Sequence, residues 1–309
     1  MRKAAPLIGL AAFASAVLFL SIPLGVGRIS LVAYFVQLPL LYVGFTLGLT
    51  GFSVGSLAAS LIVLLVAGGM AAGIFVAMDV VPGFIVIRHA LLWRPAGDSS
   101  REWFPSGLIL GRLAIYMLVL LIVVLGWLQF RFGDLADNFS AGMDILAANY
   151  AGNAMAAQVI GIYRGLVPVL PGIAAAGLFL VSVANGAMAF KLAQGQQRSV
   201  RPNELLRLFR LPGWFMPAFL VTIAAAMVLN GNPGFYARGV AIVLGTGYLL
   251  LGLALVHSLM ARVLTDTFRR VTGLTVFYVV FVLFGLIAVP VVAAMGLIED
   301  RAQMRHTMS

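Results

Sequence analysis

The sequence predicts an all-α fold, a polytopic transmembrane helix bundle of about nine spans (range seven to ten), and three observations predict it. Charged residues make up only 10% of the 309 against 62% hydrophobic, where a soluble domain needs roughly a quarter charged to face water. Mean hydropathy is +1.07, and apolar runs of about 20 residues, enough to cross a bilayer, recur from end to end. Strand-period alternation is missing, which argues against an outer-membrane barrel.

Hydropathy and helix breakers place the spans in order. Met1-Arg2-Lys3 precedes Ala4–Leu24, which reads as an uncleaved first helix because the run exceeds a usual signal-peptide core. Gly25-Val26-Gly27 offers the small residues of a cleavage site, the feature that a signal-peptide reading would use. Ile29–Leu49 follows, then Phe52–Gly69 and Met70–Trp93, which only the Gly68-Gly69 pair separates. The fifth and sixth spans are Leu108–Phe130 and Leu166–Phe190. Trp214–Leu229 is a short seventh, and Gly239–Met260 and Leu274–Met295 complete the series.

Charge orients the bundle. With the N-terminus in the cytoplasm, Arg28, Arg131, Arg164, Arg238, Arg301 and Arg305 fall outside, leaving 14 of the 20 Lys+Arg inside. That bias has the sign the positive-inside rule requires. The net charge of +10 therefore reads as topology in a bacterial inner membrane rather than as affinity for nucleic acid. The absence of cysteine removes disulfides, thiolate metal sites and thiol nucleophiles.

One membrane domain, 1–309, is expected, with two substantial connections. The outer segment 131–165 carries Asp134, Asp137 and Asp144 among Leu135, Phe139, Met143 and Ile145, the pattern of an amphipathic helix or helix pair. The cytoplasmic loop 193–213 is basic. Asn203 reads there as a helix cap, and Arg207 and Arg210 as lipid-headgroup contacts on an interfacial helix. Pro95–Gly107 is a second cytoplasmic loop, flanked by Trp93, Trp103 and Phe104 at headgroup level.

Phosphate-binding, zinc-protease, nucleophile-elbow and dinucleotide signatures are missing, so no cofactor or metal is implied and nothing argues for a lipid-acting enzyme. Polar groups inside spans carry the remaining chemistry. Asp79 lies deep in the fourth span, and Arg112, Asn185 and His257 lie near the cytoplasmic ends of three others. Each reads either as a solute- or ion-contacting group or as structural: interhelical bonding for Asn185, snorkelling for Arg112. Small residues at spacing four (Ala12 and Ala16; Gly44 and Gly48; Gly51, Gly55 and Ala59; Gly172 and Ala176) suit close helix packing. Ala12 and Ala16 suit docking of a membrane partner as well. Pro39, Pro82, Pro168, Pro171, Pro217 and Pro290 mark candidate breaks or kinks.

Several segments together resemble the YybS-like family of bacterial membrane proteins, a domain of unknown function. They are Leu38-Pro39-Leu40, Arg101-Glu102-Trp103-Phe104-Pro105, Arg210-Leu211-Pro212-Gly213-Trp214, Val256-His257 and Gly296-Leu297-Ile298-Glu299-Asp300. The family core is distantly similar to the S components of energy-coupling-factor transporters and to the rod-shape protein MreD. The S-component resemblance implies that Ala12 and Ala16 face a coupling subunit. It leaves two readings: a transport-related component binding a small solute near Asp79, and a non-catalytic scaffold recruiting partners through its cytoplasmic loops. The partners implied are the lipid bilayer and other membrane subunits, with no nucleic acid.

Overall fold

A computed structural model describes residues 4–21, 32–95, 101–150, 152–202 and 209–302. The described chain is overwhelmingly α-helical, as the composition predicts. Its helices are α1 (Ala5–Leu20), α2 (Leu38–Phe75), α3 (Val81–Ala90), α4 (Ser106–Phe132), α5 (Leu135–Asn149), α6 (Ala154–Leu166), α7 (Leu170–Gly195), α8 (Phe215–Val228), α9 (Gly231–Val263), α10 (Thr267–Leu283) and α11 (Gly285–Ala302). By length and composition, four stretches among the described residues can cross a membrane: Val32–Ala90, Ser106–Phe132, Ala154–Gly195 and Gly231–Val263. A fifth arises if α10 and α11 count as one broken span.

The helices pack as two compact units, Met1–Leu113 with Leu178–Leu206, and Ala114–Gly177 with Arg207–Ser309. Two of the three divisions fall inside helices, within α4 and within α7.

In the first unit α1 lies along α2, and α2 packs on α3. Ala12 and Ala16 are 1% and 0% exposed. The face that was expected to suit a partner is thus spent inside this chain. Gly55 sits against Leu40 and Ile8, and a Cβ on Gly44 would lie 2.6 Å from Ile87 Cδ1. Phe19 meets Phe75 edge-on at 5.1 Å, and Leu40, Leu41, Phe52 and Ile87 are fully buried around them.

Residues 38–75 would measure about 57 Å as a straight helix, nearly twice the hydrocarbon core. Two residues interrupt it. Gly48 (φ 81°, ψ −175°) and Gly68 (φ 83°, ψ 177°) take backbone angles open essentially to glycine. Gly48 is therefore a break rather than the second half of a Gly44/Gly48 packing face. The boundary expected at Gly68-Gly69 is a change of backbone direction inside one element.

In the second unit α9 is central, packed by α8 and α11 and touched by α5 and α10. Glycine permits the closest approach. A Cβ on Gly252 would run into the Val292 carbonyl, and one on Gly296 into the Tyr248 carbonyl. Gly172 backs onto Gly239 in the same way, with 2.8 Å from a built Cβ to Gly239 Cα. Tyr248 is fully buried between Phe215 (5.7 Å) and Phe219 (4.9 Å).

The 131–165 segment forms the helix pair α5 and α6. Asp134 caps α5 by accepting from Ala136 N (2.8 Å) and Asp137 N (3.2 Å), and Asn153 caps α6 by accepting from Ala156 N. An exposed Arg164–Asp144 ion pair at 2.6 Å links the two.

The ninth expected span, Leu274–Met295, is not a straight helix. α10 and α11 meet at Phe284 with a bend of 120°. α8 has only 14 residues, about 21 Å and shorter than a bilayer core. Two of the prolines expected as kinks instead stand where the missing N–H costs nothing, Pro39 opening α2 and Pro168 a short 3-10 turn, whereas Pro82, at the start of α3, follows directly on a helical turn. Pro290 alone among these lies in a helix interior.

The 95–107 loop holds a small antiparallel hairpin, Trp93–Pro95 (β1) against Arg101–Trp103 (β2). The cap at Asn203 and the headgroup contact at Arg207 lie outside the described residues. Arg210 is described and exposed.

Candidate functional site

The polar residues of the first unit gather at two places where regular helix fails. The first is the entry to α2. Residues Val32–Phe35 form a 3-10 turn, and apolar surroundings oblige every freed carbonyl to find a donor. Ser15, fully buried on α1, donates to Val36 O at 2.7 Å. Asn185 on α7 donates through Nδ2 to Tyr34 O at 2.7 Å and to its own helix at Val181 O, 2.8 Å.

The second place is the turn between α2 and α3, where Val76–Val80 is π-helical. Such one-turn widenings recur at functional sites. The sequence supplies a reason for the irregularity. Pro82 has no N–H for the carbonyl four residues back, which belongs to Met78. Gln37 donates to that carbonyl instead, at 3.0 Å through Nε2, and its other amide hydrogen reaches Ser182 Oγ at 3.1 Å.

Asp79 follows Met78 on the same turn. It is partly buried, and the Gln37 side chain faces its carboxyl. Gln37 is 1% exposed, Ser182 0% and Asn185 3%. Ser182 and Asn185 are three apart on α7, so they share a face. Tyr34 and Gln37 are likewise three apart on the facing segment. Gln37 thus touches Ser182 and faces Asp79, and Asn185 stands one turn along α7 from Ser182, so side chains from three stretches of chain gather near Asp79.

The two amides are oriented by their partners. Met78 O, Tyr34 O and Val181 O can only accept, so the atoms beside them must be the NH2 groups. Gln37 Oε1 and Asn185 Oδ1 are then left buried with no donor.

No family model, curated protein or solved structure matches this chain.

Sequence reasoning singled out Asp79 and Asn185, which this centre unites. It missed Gln37 and Ser182. The available signal was Pro82: a proline inside an apolar run orphans a carbonyl and requires a side-chain donor. Arg112 is exposed on α4, as snorkelling requires. Asp79 belongs to neither ion pair of the described residues, Arg94–Glu102 and Arg164–Asp144. In the other unit, His257 Nε2 lies 2.8 Å from the Tyr278 hydroxyl, with the rings 5.8 Å apart. That is interhelical bonding between α9 and α10.

The hairpin has its own electrostatics. Arg94 Nε donates to Glu102 Oε2 at 2.8 Å on the surface, which holds the Glu102 carboxyl below the usual range. The Arg101 guanidinium sits 4.3 Å above the Trp93 ring. Arg201, only 4% exposed, donates to Ala90 O and Phe104 O, each at 3.1 Å. It closes the C-terminal end of α3, where a positive charge suits the helix dipole. Counted only as an inside charge in the sequence, it is a structural clamp.

Proposed function

We propose that the chain is a multi-pass inner-membrane protein and a transport-related component that binds a small solute at the Gln37–Asp79–Ser182–Asn185 centre. The observation carrying this reading is Asp79 on a π-helical turn inside the 59-residue apolar stretch Val32–Ala90. A charged carboxylate deep in a bilayer costs about 2.5–3.5 kcal/mol on insertion scales. Nearby amide donors alone do not require a carboxylate there, since a neutral residue would leave them equally satisfied. The resemblance to transporter S components points the same way.

The topology we propose has about nine crossings and a cytoplasmic N-terminus. The 14-to-6 distribution of basic residues supports the orientation. The glycine breaks support more than one crossing within Val32–Ala90.

The test is Asp79→Asn in purified protein, compared with wild type across a panel of small solutes. Solute binding predicts that the variant folds while losing every solute-dependent rise in its unfolding midpoint. A variant at least as stable as wild type, in a protein that no solute stabilises, would favour the scaffold instead.

A further inference from the structure

The centre is rich in acceptors and short of donors, and this sets the class of ligand it takes. Both amide NH2 groups are engaged, by backbone carbonyls, by Ser182 and, for Gln37, by the Asp79 carboxyl as well. What remains is one carboxylate with two amide oxygens that are 97% or more buried and accept no hydrogen bond. Leaving a buried acceptor unsatisfied is unfavourable, and an anion would be repelled by Asp79. Gln37 bonds Ser182, and Asn185 stands one helical turn from Ser182 on α7, which brings the two amides to one place. We propose that Asp79, Gln37 Oε1 and Asn185 Oδ1 bind a dehydrated monovalent cation. The inference rests on the reading of this centre as a solute site.

Charge selects against a divalent ion. Calcium and magnesium sites draw on several carboxylates or retained waters and phosphates. Here one carboxylate neutralises one positive charge, and the described residues hold no group of three acidic or histidine side chains suited to a metal. Amide and carboxylate oxygens are hard ligands, matched to alkali ions and to small ammonium ions. The backbone fixes the geometry: Pro82 and the 3-10 turn hold the NH2 groups, and so aim the oxygens away from the carbonyls that bind them.

The experiment uses the full chain in lipid nanodiscs, purified in choline chloride. Choline is replaced by sodium, potassium, rubidium or methylammonium chloride at constant ionic strength, and unfolding is followed by tryptophan fluorescence. The expected result is a saturable, ion-selective rise of about 5–10 °C in the midpoint at roughly 100 times the dissociation constant. Selectivity among the four salts distinguishes an alkali ion from an ammonium. Asp79→Asn should weaken the effect at least about tenfold. Asp79→Glu, which keeps the charge on a longer arm, should retain a response with altered ion preference, and it decides the matter should Asp79→Asn not fold. A folded wild type indifferent to all four cations overturns the proposal, as does an undiminished response in Asp79→Asn. Should uncharged hydroxylated solutes then stabilise the protein in an Asp79-dependent way, the cation falls while solute binding stands. Should they also fail, both fall.

Discussion

Pro82 withholds a donor from the Met78 carbonyl, and Gln37, 41 residues away in sequence, supplies one. The two residues should therefore be energetically coupled. Gln37→Leu leaves Met78 O without that donor, at about 1–3 kcal/mol. In a Pro82→Ala background the chain regains a local N–H, and the same substitution should cost distinctly less. A double-mutant cycle by thermal unfolding measures this, and additive costs would mean that Pro82 is not what Gln37 answers. Packing at the residue scale is tested by two glycines of α11. Gly296→Ala drives a methyl into the Tyr248 carbonyl, which belongs to backbone and cannot swing aside, so a loss of about 1–3 kcal/mol is expected. Gly285→Ala meets open space and should be close to neutral. Equal stabilities would remove the close α9–α11 contact. Asp79 and Asn185 were legible in the sequence because charge and amide stand out in an apolar run. Gln37 and Ser182 were not, since their role depends on which carbonyls the backbone leaves exposed, and that is set by a π turn and a 3-10 turn with no compositional mark.

The long element α2 shows the same divide between what pattern encodes and what conformation adds. Its apolar length was plain, and so was Gly68-Gly69 as a boundary, because paired glycines punctuate a helix. Gly48 looked like half of a packing motif, and only its positive φ reveals a break. A side chain there has space but the wrong backbone. Gly48→Ala should cost about 1–2 kcal/mol from conformation alone, whereas Gly9→Ala, equally uncrowded but inside regular α1, should stabilise by up to about 1 kcal/mol. Thermal unfolding of the two variants gives opposite signs if the break persists, and the same sign if α2 runs straight. The hairpin offers a pH test. Arg94 depresses the folded-state pKa of Glu102, so the stabilisation it brings is complete above the ordinary glutamate range, near 4.3, and is lost as pH falls through the depressed value. With Trp127→Phe and Trp214→Phe removing the other indoles, fluorescence of Trp93 and Trp103 should titrate with a midpoint below that range and move toward it in high salt. A midpoint at or above the ordinary value would mean that the pair does not form.

At the scale of the molecule, the helices long and apolar enough to cross a membrane are four among the described residues, or five with the bent pair. The proposed count of about nine depends on the two glycine breaks and on the short helices α1 and α8 also crossing. How a broken or short helix lies is set by packing against its neighbours, which holds it across or along the bilayer. Reporter fusions decide it: Gly97 and Gly195 should report the cytoplasm and Gly142 the outside, and an outside signal at Gly195 would reverse the orientation. The claim on which the functional reading turns is that water and solute reach the centre around Asp79. The chain contains no cysteine, so Ser182→Cys places a single thiol beside Gln37 within that centre. Treatment of the folded variant in membranes with a charged, membrane-impermeant thiol reagent should label Cys at this position, and prior Asp79-dependent ligand binding should slow the reaction. A thiol that stays unlabelled until the protein is unfolded would show the centre sealed, and would contradict a solute-binding role.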